Sequence, residues 1–571
     1  MATTLTFLGA AGTVTGSKFL LTVGERRILV DGGMFQGEKE LRKLNWADFP
    51  VPPDTITDIL VTHAHLDHVG YLPVLVKNGF HGPIWCTPHT RDLAFIVLRD
   101  AGFLQERDAE DARLGGWSKH DKPKPLFDSQ DVEKTLPLIT PVDWDRDLEL
   151  GDDITAVWTR NGHILGSASI RVQTPHGSVL FSGDLGRKEH PVLRARETPA
   201  GADVVVVEST YGDREHMDPR NMAHEALADA VRRTINRGGS VLIPAFAVDR
   251  TEIVITVLSQ MRRDGRIPRT PVYVNSPMAA SALDVYKNAG SELRADLDLT
   301  DIMGDLQEVR SADDSRELTS GKHGPSIIIS SSGMATGGRV LHHLERMLPD
   351  PRNAVVLTGY QAVGTRGRAL LEGAQRLKMH GRYVGVKAEI VRDEEFSVHA
   401  DGSELVDWVR DLRPAPGIVY CAHGEAEPAA TLAARITEQL GVDAVVPSIG
   451  EVVVVEPPSA RPAAARITTP HIPLPAAETL AAAAAAPTTP SVEEAGAADA
   501  TDSGLETQGS GAGRPVTAMA AVPAQEAATV SLDGLSLTGA QVEADLTPHR
   551  DADGSLVLEG TISIRLRGPL P

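Results

Sequence analysis

The strand-like run Ile59-Leu60-Val61, followed at once by Thr62-His63-Ala64-His65-Leu66-Asp67-His68, is the tightest constraint in this 571-residue chain. Apolar and β-branched residues with a polar stretch behind them read as a buried strand. The strand ends near Thr62, so the polar cluster falls on the loop beyond its carboxyl end, where ligands gather in α/β sheets. His63 and His65 stand two residues apart, and an extended backbone aims both at one point. Asp67 and His68 are adjacent and address two neighbouring points. Neutral imidazoles and carboxylates at this density are a donor set suited to zinc. One short loop feeding two ions a few ångströms apart is what a two-metal site requires.

The surrounding pattern is α/β. Residues 5–8, 18–23 and 27–30 read as strands, the last ending in Asp31-Gly32-Gly33. Asp31 is either a turn residue, favoured by the two glycines, or a carboxylate that orients a metal-bound histidine from behind. Two later strand ends have the same character. His163 sits between glycines in Asn161-Gly162-His163-Ile164-Leu165-Gly166, and Asp184 follows the strand 178–181 in Ser182-Gly183-Asp184-Leu185-Gly186. Either alone is weak evidence; with the histidine cluster they complete a two-metal inventory. The continuous apolar strand 202–208 then ends in Glu208.

From 209 to about 383 the style changes. Strand-like runs at 240–244, 271–275, 326–330 and 354–357 alternate with helix-like segments at 223–236, 251–263, 279–287 and 339–347. Continuous apolar strands alternating with helices imply a doubly wound parallel sheet. The loop Ser330-Ser331-Ser332-Gly333-Met334 joins a strand to a helix and is rich in small residues with free backbone N–H groups, which suits a phosphate. It lacks the Gly-Lys-Ser/Thr of a Walker A loop. Arg366 and Arg368 lie near glycines and are either a solvated basic loop or a phosphate contact. The first style returns with His399 in Phe396-Ser397-Val398-His399 and His423 in Ala422-His423-Gly424-Glu425, and 444–455 reads as final strands. Beyond 456 alanine, proline, threonine and glycine dominate. Residues 457–527 are expected to be a disordered linker, and 528–571 is either a hairpin or small β unit or a segment that pairs only with a partner.

Composition adds bounds. The net charge of −21 counts against a general nucleic-acid coat protein, though not against a nuclease whose metals supply the positive field. The start lacks a basic leader and no run of about 18 apolar residues occurs, which suggests a cytoplasmic location. Cys86 and Cys421 fall in strand-like runs and read as buried, reduced hydrophobes.

The ordered motifs of residues 1–456 resemble the metallo-β-lactamase superfamily, and within it the β-CASP RNA-processing nucleases, especially bacterial and archaeal relatives of the cleavage and polyadenylation endonuclease subunit. They are Asp31, His63-Ala64-His65-Leu66-Asp67-His68, His163 and Asp184, then Glu208, His399 and His423 as the branch's later motifs. The resemblance implies an αββα sandwich (1–208 and 384–456) with a β-CASP domain (209–383) inserted between its halves. It implies two Zn2+ ions, one held by His63, His65 and His163, the other by Asp67, His68 and His423, with Asp184 bridging. It further implies a two-metal hydroxide mechanism, with Asp67 at the centre and His399, held by Glu208, protonating the leaving 3′ oxygen. The expected activity is a zinc-dependent, endonucleolytic ribonuclease acting on single-stranded RNA and leaving 5′-phosphate and 3′-hydroxyl ends. The chain departs from the family at Asp249, where glycine is common, at Asn275, where a carboxylate is common, and at Ala335, where cysteine is frequent. Two alternatives stay open: a small-molecule ester, thioester or lactone hydrolase, and a non-catalytic RNA-processing scaffold. A homodimer, and a protein partner for the acidic tail, stay open too.

Overall fold

The computed structural model describes residues 2–115, 122–217, 222–304, 306–362, 364–457, and three strands within 528–565. Two mixed seven-stranded sheets face one another. The first runs, edge to edge, Val452–Val455, Thr3–Phe7, Phe19–Val23, Arg26–Val30, Asp58–Leu60, Ile84–Cys86, Ile139–Pro141. The second runs Ala444–Val445, Ile418–Ala422, Val204–Glu208, Gly177–Phe181, Ala168–Thr174, Ile154–Arg160, Leu148–Gly151. Between them lies an apolar layer with Leu5, Phe7, Trp158, Ile170, Phe181 and Tyr420 all buried. The Phe7 ring lies 5.1 Å from Tyr420, and Phe19 stacks 5.6 Å from Phe181. Helices Pro88–Gly115 and Leu72–Lys77 bury apolar residues in the cluster behind the first sheet; Gly402–Asp411 and Ala426–Leu440 do so behind the second. This is the expected αββα sandwich.

A third, all-parallel sheet is made of Leu306–Glu308, Val272–Val274, Ile327–Ser330, Val241–Pro244, Ala354–Leu357 and Glu389–Arg392. The four central strands and their helices lie within two residues of the positions the alternation implies, because fully buried apolar strands leave little freedom of placement. The edge strand Glu389–Arg392 lies beyond residue 383, the expected end of the insert.

The polar stretch 115–131, with its two prolines, reads from sequence as an exposed excursion; its described residues are only partly exposed. The helix that starts at Pro88 runs 28 residues, to Gly115. Phe127 is fully buried, and Asp128 caps the helix Ser129–Thr135 through a reciprocal bond with Asp131. Both cysteines are free and buried, and burial pushes the Cys421 thiol up to about 12. No helix among the described residues is long and apolar enough to cross a membrane.

The expected linker 457–527 lies outside the described residues from 458 on. Past it, Ala528–Leu532, Leu535–Arg550 and Leu556–Arg565 form an antiparallel three-stranded sheet.

Candidate metal centre

Strand Asp58–Leu60 is paired in parallel on both sides, and the chain leaves its carboxyl end into the histidine loop. His65 begins the single turn Leu66–Val69, which carries Asp67 and His68. Asp31 sits at the end of the neighbouring strand with φ 61°, 1% exposed. Its Oδ1 accepts from the Thr62 N–H at 2.8 Å, and its Oδ2 accepts from Ser17 Oγ at 3.0 Å and lies 2.7 Å from His68 Nδ1. Asp31 thus takes a turn conformation and also contacts His68 Nδ1. A Cβ on Gly33 would meet the Asp67 carbonyl at 1.6 Å, so only glycine lets this turn pass under the histidine loop.

His163 comes from the loop after Ile154–Arg160. Gly166, at φ +82°, lets that loop lie against the start of helix Pro88–Gly115, where Thr87 Oγ1 donates to its carbonyl at 2.6 Å. Asp184 follows strand Gly177–Phe181, and His423 follows Ile418–Ala422 at the same end of the second sheet.

These side chains converge. His65 Nδ1 lies 3.1 Å from His63 Nε2 and 3.2 Å from His163 Nε2. His68 Nε2 lies 3.1 Å from His423 Nε2. Asp184 stands between the two groups. Its Oδ2 is 3.6 Å from both His63 Nε2 and His163 Nε2; its Oδ1 is 3.2 Å from both His68 Nε2 and His423 Nδ1. Asp67 Oδ2 is 3.7 Å from His423 Nε2. Within each of the groups His63/His65/His163/Asp184 and Asp67/His68/His423, the donor atoms lie within 4.8 Å of one another.

The arrangement fits metal ions. Zinc–nitrogen bonds of about 2.0–2.1 Å in a tetrahedron put nitrogens about 3.3 Å apart, close to the spacings observed. Asp184 Oδ1, His163 Nδ1 and His423 Nδ1 are buried without a hydrogen bond of good geometry, which is costly for a carboxylate unless a cation meets it. Burial, then the neighbouring imidazoles His68 and His399 respectively, holds His63 and His163 well below the usual histidine range, in the neutral form that binds metal. Burial would lower His68 too, but Asp184 and Asp31 outweigh it and push it up.

Glu208 and His399 lie beside this cluster. His399 Nδ1 is 3.1 and 3.2 Å from the two Glu208 oxygens, and its ring centre is 4.4 Å from that of His163. Glu208 is fixed by the Leu185 N–H at 2.6 Å. Burial would lower the His399 pKa, but the charge and hydrogen bond of Glu208 prevail and raise it.

The loop residues expected at a phosphate differ in how accessible they are. Ser331 and Ser332 are half-buried; Ser331 Oγ donates to Ser276 Oγ at 2.9 Å, and Gly333 packs against Phe246. Arg366 is 7% exposed, and its guanidinium donates to the Lys378 and Thr336 carbonyls at 3.0 Å. It braces the loop.

Several contacts have no local sequence signal. Ser17 holds Asp31 from 14 residues away. Asp249 accepts from Tyr286 Oη at 2.9 Å and lies 3.3 Å from His190 Nε2, while Tyr286 Oη accepts the Leu165 N–H at 3.1 Å, two residues from His163. Asn275 stands 2.6 Å from His343 Nε2 and accepts from Arg339 at 2.9 Å. Tyr360 of the insert donates to Glu425, two residues past His423.

Two facing sheets that present this donor cluster at one edge define a metal-dependent hydrolase of the metallo-β-lactamase type. Family models agree in chain order: the metallo-beta-lactamase superfamily matches residues 12–245, the Beta-Casp domain 251–370, and a Zn-dependent metallo-hydrolase RNA specificity domain 383–447. Ribonuclease TTHA0252 of Thermus thermophilus is 38% identical over 426 residues, covering 73% of this chain and 92% of the relative. Transcription termination factor FttA of Methanosarcina mazei is 31% identical (77% and 69%), and an RNase J-like protein of Methanocaldococcus jannaschii 30% (75% and 93%). The chain belongs to the β-CASP family of RNA-processing nucleases.

Proposed function

We propose that the protein is a zinc-dependent ribonuclease that cuts single-stranded RNA internally and leaves 5′-phosphate and 3′-hydroxyl ends. His63, His65 and His163 would hold one ion and Asp67, His68 and His423 the other, with Asp184 facing both groups. When bound, the ions supply an activated water and positive charge beside the phosphate oxygens. The chain's own residues do the rest. Asp31 keeps the His68 ring turned so that Nε2 faces the cluster. Asp67, at the more open rim, takes the proton of the attacking water. Glu208 holds His399 at Nδ1, leaving Nε2 to give a proton to the departing 3′ oxygen. RNA lies between the sandwich (1–208 and 384–456) and the insert (209–383), with Ser331, Ser332 and Gly333 against its backbone.

The observation that carries this reading is the Glu208–His399 pair beside His163. An ester, thioester or lactone hydrolase acts on a small substrate, which needs neither a second domain over its site nor an imidazole held by Glu208 beside His163. The test is cleavage of 5′- and 3′-labelled RNA by the full chain, with and without a chelator. Internal cuts that vanish with chelator and bear 5′-phosphates support it. Cleavage that persists without metal, or hydrolysis of small esters alone, overturns it.

A further inference from the structure

We propose that His342, Glu345 and His380 form a separate, exposed site for a divalent transition-metal ion on the insert. His342 and Glu345 are one turn apart on helix Arg339–Met347 and share a face. The helix buries Val340, Leu341, Leu344 and Met347, which leaves that face outward. His380 belongs to the tight turn between strands Arg376–Met379 and Arg382–Gly385. His380 and Gly381 have φ of 45° and 76°, the two positive values of a two-residue hairpin turn. The turn sets the His380 ring over the helix. Its centre is 4.7 Å from that of His342, with 23° between the planes, and its Nδ1 is 3.1 Å from Glu345 Oε2. One donor atom from each residue lies within 4.8 Å of the other two.

Two imidazoles and one carboxylate are the protein ligands of one kind of open zinc site, with the remaining positions left to water. Imidazole selects zinc, nickel or copper over magnesium and calcium. The local competitor is Arg382, 3.5 Å from Glu345 Oε1, the oxygen that does not meet His380. The three residues come from two elements, so a bound ion ties the hairpin to the helix. The site shares no residue with the cluster at the sheet edge and does not rest on the ribonuclease reading.

The test uses the full chain with its catalytic cluster loaded, titrated with Ni2+ by calorimetry. The wild type should take up one more equivalent than the double variant His342→Ala, His380→Ala. Glu345→Gln should weaken that uptake at least tenfold, and added Ni2+ should raise the melting temperature of the wild type alone. RNA cleavage should be unchanged in every variant. His342 is exposed, so His342→Ala alone repeats the test without touching the turn. Equal uptake by wild type and all three variants overturns the site, and so does uptake of half an equivalent with dimer formation.

Discussion

Asp31 Oδ2 lies 2.7 Å from His68 Nδ1, and both residues are buried. The contact spends the one nitrogen of His68 that points away from the cluster. Nε2 is thereby aimed at the gap it shares with Asp184 Oδ1 and His423 Nε2, at 3.2 and 3.1 Å. Asp31 is itself held by Ser17 and Thr62. The order of dependence runs from Ser17 to Asp31 to His68, and it crosses two strands.

Such an outer partner typically contributes a factor of about 10–100 in metal affinity. Asp31→Asn should therefore leave the fold intact and weaken metal binding by about that factor. Ser17→Ala should act in the same direction more weakly, since Thr62 still holds Asp31. Competition with a coloured chelator measures both. Unchanged affinity in Asp31→Asn would reduce the residue to a turn former.

The donor cluster itself predicts metal content. The double change His63→Ala, His65→Ala removes two imidazoles from one group and none from the group around His423. Elemental analysis should fall from about two ions per chain, the number a two-metal site holds, and RNA cleavage should disappear. The insert should stay folded, because its parallel sheet and second apolar cluster include neither residue. Full activity in metal-stripped wild type would contradict the whole assignment.

Most of the metal centre was legible in the sequence because donors are rare, polar and concentrated at strand ends, where a buried apolar run stops. His63 to His68 announce themselves in one loop, and His163, Asp184 and His423 each close a strand. The parallel sheet of the insert was legible for the same reason, since strands buried on both faces carry no polar residue to blur them. What could not be read is contact between residues that look ordinary alone. Ser17 and Tyr286 give no sign that they reach Asp31 and the His163 loop. Arg366 looks like a free cation beside glycines until its carbonyl partners, Lys378 and Thr336, are seen. Asp249 likewise gives no sign of Tyr286, 37 residues on, whose hydroxyl it accepts.

Lys18, next to Ser17 and bonded to the turn at Gly33, offers a pH test of stability. It is 4% exposed, donates to the Gly33 carbonyl at 2.6 Å and lies over the Phe35 and Tyr71 rings. Burial lowers its pKa from 10.5 to about 7. Between about pH 7 and 10 the unfolded chain therefore binds the proton more strongly than the folded one, and stability rises with pH. Lys18→Met removes this dependence. Wild type should gain on the variant by roughly 1–3 kcal/mol from pH 7 to pH 9.5, read from urea midpoints of the two proteins at each pH. A constant gap would mean that the amine keeps its charge in the fold.

His399 separates a nuclease from the ester hydrolases that share this fold. It is no part of either donor group, yet its ring stands 4.4 Å from that of His163. Departure of a ribose 3′ oxygen is slow without protonation, and a positioned acid contributes roughly 10²–10⁴-fold. His399→Ala should keep its metals and lose RNA cleavage by about that factor. It should lose far less on an activated aryl phosphodiester, whose leaving group needs no proton. Glu208 raises the His399 pKa, so the acid stays charged to higher pH in the wild type. Glu208→Gln lowers that pKa, and its RNA cleavage should therefore begin to fall at a lower pH than in the wild type. Equal losses of His399→Ala on both substrates, with metal content unchanged, would instead make His399 a brace for the His163 ring.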